Sequence, residues 1–158
     1  MVDTEHSYQR KFLVIIDDTE ECDRAVTFAA YRVKRTGGTV VLMSVIDNTD
    51  FAQWMGVEEV MRAEALEEAE RNIDTRLARI ASIGEVKVET VIREGHANDE
   101  IERLIAEDKT IAILVLGASR SSDGPGPLVS HFAANNNVHV PVTIVPGSMT
   151  DEEIIAVC

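Results

Sequence analysis

Five short apolar runs, spaced along the 158 residues at regular intervals, restrict this chain to one class of fold. Each run is rich in β-branched residues and short enough for a buried strand. The runs are Phe12–Ile16, Thr39–Ile46, Val86–Ile92, Thr110–Leu116 and Val140–Val145. Segments with helical spacing separate them. The alternation predicts an α/β fold: a single doubly wound domain with a five-stranded parallel sheet and helices on both faces.

The helical segments carry ordinary start and stop signals. The first is predicted to begin at Thr19, a candidate N-cap, and to end before Gly37. The second helical segment, residues 57–82, is dense in glutamate and arginine, which predicts a solvent-exposed helix face with no catalytic or binding role. The helical segments after the first are Val57 to Ser82, Asn98 to Glu107, and a weak one from Pro127 into the Asn135–Asn137 run.

The chain length fits one domain, and no linker divides it. We expect residues 1–10 to be a flexible lead-in, residues 11–147 the α/β domain, and residues 148–158 a C-terminal tail. Thr150 is predicted to cap a last helical turn within this tail. The loop Asp47–Gly56 carries the only tryptophan, and Trp54 is either part of a lid or a hydrophobic plug.

Composition excludes several partner classes. A net charge of −13 disfavours binding to nucleic acid and to anionic membranes. No apolar run reaches the roughly 18 residues of a membrane span, and the polar N-terminus lacks a signal region. Cys22 and Cys158 make neither a disulfide framework nor a metal set. These features predict a cytoplasmic protein.

Catalytic signatures are lacking in the sequence. It contains no phosphate-binding G-x-x-x-x-G-K-[ST] loop, no G-x-S-x-G elbow and no H-E-x-x-H motif. The acidic pair Asp17–Asp18 resembles a receiver domain, but the third strand has no terminal aspartate and the fifth no following lysine. We therefore predict that the protein is not an enzyme and has no metal site, with slow ATP hydrolysis left open.

Two loops are placed to hold a ligand. In doubly wound sheets, ligands bind at the carboxyl ends of the strands, where the strand order reverses. "DDTEE" follows the first strand from Asp17, and "GASRSSDGPG" follows the fourth from Gly117. If those strands are neighbours, the two loops face one crevice.

Five pieces of sequence, in the same order, resemble the universal stress protein family of small α/β domains, many dimeric and some ATP-binding. "FLVIIDDTEECDRAV" resembles the first strand and its aspartate-led turn, and "VVLMSVID" resembles the second strand. "VIREGHANDEI", "IAILVLGASR" and "VPVTIV" resemble the third, fourth and last strands with their flanking turns. The resemblance covers about Lys11 to Pro146 and implies the strand order 3-2-1-4-5.

The nucleotide-binding members of that family carry G-x-x-G, nine residues, then G-[ST]. On this chain the first glycine is Gly117, and Arg120 stands in place of the second. Ser130 and His131 stand where the final pair belongs, or Leu128 and Val129 if the count starts from the last strand. The resemblance implies that Asp17 and Val45 line the base pocket, with Leu116 and Gly117 below it.

The loop chemistry predicts a degenerate phosphate site. Asp123 adds an anion, and Pro125 and Pro127 each lack a backbone donor, whereas the cation of Arg120 could hold a phosphate. We expect no tight ATP binding and no resident cofactor, with weak binding of AMP or ATP open. The candidate nucleotide-binding residues are Asp17, Val45, Leu116, Gly117, Ser119, Arg120 and Ser130.

The protein is predicted to form a homodimer through its last strand. In the order 3-2-1-4-5 the third and fifth strands are edges, and only the third carries charged side chains, which disfavour pairing with another chain. An uncharged β-branched edge invites pairing with its own copy across a two-fold axis. The predicted dimer edge consists of Val140, Val142, Thr143, Ile144 and Val145.

The resemblance implies a regulatory or binding protein of the stress response, and two alternatives stay open. One is an ATP- or AMP-binding stress sensor that uses the same crevice. The other is a dimeric scaffold that acts through its surface on an unknown protein partner.

Overall fold

The computed structural model describes residues 10–48, 57–134 and 137–158. The strands are β1 (Lys11–Ile15), β2 (Thr39–Ile46), β3 (Lys87–Glu94), β4 (Ile111–Ala118) and β5 (Val142–Pro146). The helices are α1 (Glu20–Thr36), α2 (Glu58–Ile83), α3 (Ala97–Glu107), α4 (Pro127–Ala134) and α5 (Asp151–Val157). The predicted alternation is therefore confirmed. Most of the N-terminal lead-in and the loop carrying Trp54 lie outside the described residues.

The sheet has the order β3-β2-β1-β4-β5, and every pairing is parallel. β1 lies at the centre, flanked by β2 and β4. The predicted order and class are thus confirmed. Because β1 and β4 are neighbours, the loops that follow them meet at one edge of the sheet.

Side chains along each strand point alternately to the two faces of the sheet, so the apolar core consists of two layers. Phe12 and Val14 of β1 face a layer that we call the first core, formed with α1, α2 and α5. Leu13 and Ile15 face the second core, formed with α3 and α4. Successive side chains of a strand point to opposite faces. Burial on both faces explains why the runs read as continuously apolar rather than alternating.

Two local predictions need correction. Thr19 stands at the N-cap position of α1, but its side chain makes no capping bond. It instead donates to Asp17 Oδ1, which also accepts the Thr19 backbone N–H at 2.9 Å. β5 begins at Val142 rather than at Val140, since Pro141 has no N–H to continue the ladder. Val140 packs against the second core.

The two edge strands differ as expected. Lys87 and Glu89 of β3 are exposed, and Arg93 forms an ion pair with Glu107 at 2.6 Å. β5 carries no charge, and its Ile144 is 41% exposed. Charged β3 is therefore the blunted edge of the sheet.

The segment expected as a tail is packed as part of the domain. Thr150 caps α5 through a reciprocal capping box with Glu153. Asp151 pairs with Arg24 of α1 at 2.7 Å and with Arg79 of α2 at 3.2 Å. Ile154 is completely buried in the first core. The predicted helical turn is confirmed, and it extends to a seven-residue helix.

Candidate functional site

A cavity of about 230 Å³ opens where the strand order reverses, and we call it the crevice. Asp17, Thr19, Glu21 and Cys22 line one side. Leu116 and Gly117 line the other, together with residues 125–129 of the following loop and α4. The carboxyl ends of β1 and β4 therefore form one site, as the adjacency of these strands requires.

Asp17 holds the turn between β1 and α1. Its carboxylate accepts both the backbone N–H and the hydroxyl of Thr19, which makes a local turn that leads into the helix. The side chain is exposed, and it also lines a neighbouring cavity of about 260 Å³. Val45 lines that second cavity, so Asp17 lies between Val45 and the pair Leu116 and Gly117.

The second cavity is strongly acidic. Besides Val45, its lining includes four carboxylates, those of Asp17, Asp18, Asp47 and Glu68. No basic side chain lines it among the described residues. Its field therefore opposes the approach of a phosphate.

Gly117 has a structural reason to be glycine. A Cβ at this position would lie 2.1 Å from the carbonyl oxygen of Glu21 and 2.6 Å from its carbonyl carbon. These are backbone atoms of α1, so a rotamer change cannot relieve the contact. The first turn of α1 thus packs directly on the end of β4, and this close approach accounts for the glycine.

The loop after β4 engages four of its own backbone N–H groups in internal hydrogen bonds. The N–H groups of Ser119 and Gly124 donate to the carbonyl oxygens of Pro125 and Ser121. The N–H groups of Ser121 and Asp123 donate to the hydroxyls of Ser119 and Ser121. Pro125 and Pro127 have no N–H group. Six of the eleven positions from residue 117 to 127 therefore offer a phosphate no backbone donor.

The glycines of this loop serve its turns. Gly124 and Gly126 have φ angles of +115° and +110°. Residues with a Cβ adopt such angles only at a cost in free energy. No atom lies within 4 Å of a Cβ built on either glycine. Their backbone conformation, rather than contact with neighbours, accounts for these two residues.

The remaining predicted residues lie apart from the crevice. Ser119 and Arg120 line a third cavity of about 180 Å³ together with Glu20 and Glu21. Arg120 is exposed, and it makes no ion pair with any residue the structure describes. Ser130 is exposed on α4 and lines none of the three cavities. The structure thus brings Asp17, Leu116 and Gly117 together and leaves the other four predicted residues around them.

Cys22 lines the crevice as an inert thiol. Burial raises its pKa to about 11, and its Sγ donates to the Ile15 carbonyl oxygen at 3.7 Å. Only the thiolate is an effective nucleophile. At neutral pH this cysteine therefore contributes packing to the crevice and no covalent chemistry.

Arg76 of α2 is a site residue that sequence reasoning missed. The prediction assigned the charges of this helix to a solvated face, yet Arg76 is buried. Its guanidinium donates to the Thr19 carbonyl oxygen at 3.2 Å and lies 3.1 Å from Asp23. It thereby fixes the turn that carries Asp17. The spacing to Ile73 and Ile80, both on the buried face, is the signal that could have revealed it.

Among the described residues, no three or more His, Cys, Asp or Glu side chains are arranged so that they could hold a metal ion. His96, His131 and His139 lie on different elements. His131 pairs with Glu102 at 3.0 Å. In the part of the chain that the structure describes, no helix is both long and apolar enough to span a membrane.

The fold and crevice define a doubly wound α/β domain with a cavity at its switch point, the place where such domains bind ligands. Residues 9–146 match the model of the universal stress protein family. The chain belongs to the universal stress protein family. The match ends before α5, so the C-terminal helix lies outside the part of the chain that the family model describes. No curated protein sequence matches the chain.

Solved structures show the same fold. The universal stress protein UspA from Lactobacillus plantarum is 20% identical, with a TM-score of 0.73, and the match covers 87% of this chain and 97% of that chain. An Arabidopsis thaliana universal stress protein family member with AMP bound is 18% identical, with a TM-score of 0.63 and coverage of 91% and 95%. The universal stress protein from Archaeoglobus fulgidus in complex with dAMP is 16% identical, with a TM-score of 0.60 and coverage of 88% and 98%.

Proposed function

We propose that this universal stress protein is a non-enzymatic regulatory or binding protein of the stress response, with a crevice that does not bind ATP tightly. The observation that carries the proposal is the internal hydrogen bonding of the loop after β4. Four of its N–H groups are engaged within the loop, and two prolines have none. A phosphate cradle needs several free N–H groups directed at one anion.

Charge around the crevice supports the same proposal. Asp17 and Glu21 line the cavity, and Asp123 is exposed in the adjoining loop. Arg120 is the only basic residue from 117 to 127, within a chain of net charge −13. Each phosphate added to a ligand therefore meets more repulsion than attraction.

The apolar part of the crevice is better suited to a ligand than its charged rim. Leu116, Pro125, Pro127, Leu128 and Val129 offer an apolar lining. At about 230 Å³ the space is smaller than the ~300–1,000 Å³ of a typical small-molecule site. We infer that an adenine nucleoside or AMP binds weakly and that added phosphates bring no gain.

An AMP- or ATP-binding sensor is the second candidate. Structural relatives with AMP and with dAMP favour it. The guanidinium of Arg120, beside Ser119, also favours it, because Arg120 forms no ion pair with the residues that the structure describes. Cytoplasmic location fits either function, since both cysteines are free thiols.

Nucleotide carried through purification separates the two candidates. We expect freshly purified protein, once denatured, to release far less than one adenine nucleotide per chain, measured by mass spectrometry. A stoichiometric amount of released ATP or AMP would favour the sensor instead. The Arg120→Ala variant then identifies the site, because its loss of nucleotide would assign the phosphate to that side chain.

We further propose a homodimer through β5. This edge strand carries no charge, and its Ile144 side chain is 41% exposed. An open edge with β-branched side chains is suited to pairing with a second copy. If this surface rather than the crevice carries the function, the protein is a scaffold for an unknown protein partner.

The Thr143→Lys variant tests this dimer. Two lysines brought together near the two-fold axis repel, so we expect the dimer dissociation constant to rise about tenfold or more, which corresponds to ~1.4 kcal/mol. Analytical ultracentrifugation measures the change. Thr90→Lys on β3 is the matched control, since it adds the same charge to the opposite edge. A monomeric wild-type protein at micromolar concentration, or equal effects of the two variants, would contradict the proposal.

A further inference from the structure

A cavity of about 370 Å³ lies at the end of the sheet opposite the crevice, and we call it the amino-end cavity. Ile111 and Ala112 at the start of β4 line it, whereas Leu116 and Gly117 near the end of β4 line the crevice. At about 3.3 Å per residue, at least ~13 Å of strand separates the two sites. The amino-end cavity is therefore independent of the crevice and of its proposed function.

The walls of the amino-end cavity are largely apolar. Ile105 at the end of α3 and Ile111 of β4 belong to the second core, and Val138 and Val140 pack against it from the segment before β5. The volume lies within the range of small-molecule sites, about 300–1,000 Å³. At roughly 30 Å³ for each water-sized volume, the space accommodates on the order of a dozen non-hydrogen atoms.

The polar groups of the amino-end cavity include a lysine that can pair with an anionic ligand. Glu102 contributes a carboxylate, and its Oε1 lies at hydrogen-bond distance, 3.0 Å, from the His131 ring Nε2. Lys109 also lines the cavity, and no carboxylate among the described residues forms an ion pair with it. His139 adds an exposed imidazole beside the same opening. Lys109 is therefore a cation without an ion-pair partner among the described residues, in a protein whose overall charge is strongly negative.

We propose that the amino-end cavity binds a small monocarboxylic acid of about ten non-hydrogen atoms, most of which form an apolar body. The carboxylate pairs with the ammonium group of Lys109, and the apolar body contacts Ile105, Ile111 and Val138. Burial of the apolar body supplies affinity, and the ion pair selects an acid over an alcohol or an amine.

Octanoate, which has about ten non-hydrogen atoms, is the ligand for the test, and amide chemical shifts are followed by NMR during a titration of the whole protein. We expect saturable binding with a dissociation constant of about 1 mM or below. The largest shifts should fall on residues 105–112 and 138–141. Octanol and octylamine are expected to bind more weakly than octanoate.

The Lys109→Gln variant isolates the charge. It is expected to weaken octanoate binding about fivefold or more, whereas Lys87→Gln, which removes an exposed cation from β3, leaves the affinity unchanged. Shifts confined to residues around Asp17 and Leu116, equal affinity for octanol, or no effect of Lys109→Gln would each overturn the proposal. So would loss of octanoate binding as the protein concentration rises, because a second copy would then occupy the cavity.

Discussion

Replacement of Gly117 by alanine is expected to lower the free energy of unfolding by about 3 kcal/mol or more. The new Cβ would lie 2.1 Å from the Glu21 carbonyl oxygen. Relief of this contact requires the first turn of α1 to move away from β4, which disturbs the layer where Phe12, Val14 and Cys22 pack. Urea unfolding monitored by circular dichroism measures the loss.

Gly124→Ala is the matched control for this substitution. Gly124 lies seven residues further along the chain, in the loop after β4, and no atom comes within 4 Å of the place that its Cβ would occupy. Only its φ of +115° opposes alanine, at a cost of roughly 1–2 kcal/mol. A Gly117→Ala protein as stable as Gly124→Ala would show that helix packing does not explain the glycine.

Ile154→Ala is expected to destabilise the protein by about 3 kcal/mol, within the 2–5 kcal/mol range for such truncations in a core. Ile154 is fully buried in the first core, although it lies beyond the residues that match the family model. The cavity left behind would open between α5 and α1. Urea unfolding again supplies the measurement.

The next residue provides the control for Ile154. Ile155 is an isoleucine on the same helix, so the same substitution can be made there, and its side chain is 46% exposed. We expect Ile155→Ala to change stability by no more than about 0.5 kcal/mol. Equal, small effects of the two substitutions would mean that α5 is a loosely attached tail rather than part of the domain.

The alternation of apolar runs and helical segments was sufficient to predict the fold class. β1 and β2 are buried on both faces, so their sequences are continuously apolar and unmistakable as strands. The strand order came from the family resemblance, because periodicity does not say which strands are neighbours. The start of β5 was misplaced at Val140, since a β-branched residue before a proline looks like a strand whether or not it joins the ladder.

The site was less accessible from the sequence, because its properties depend on contacts between distant residues. Gly117 is explained by Glu21, almost a hundred positions away. Arg76 is explained by Thr19 in the turn before α1 and by Asp23 of α1. The prolines of the loop after β4 could be read directly from the sequence. The internal bonds of its N–H groups could not, since they depend on the path of the backbone.

Calorimetric titration of ATP in the presence of Mg²⁺ tests the central claim most directly. A net loss of two or three charge-assisted hydrogen bonds, each worth roughly 1.5–3 kcal/mol, weakens binding by about two orders of magnitude or more. If an intact site binds ATP with a dissociation constant of about 1 µM, we expect a dissociation constant of ~100 µM or more for this protein. We also expect that ATP binds no more tightly than AMP or adenosine. A dissociation constant for ATP in the low micromolar range or below would contradict the account, because the loop after β4 would then hold phosphate despite its engaged donors.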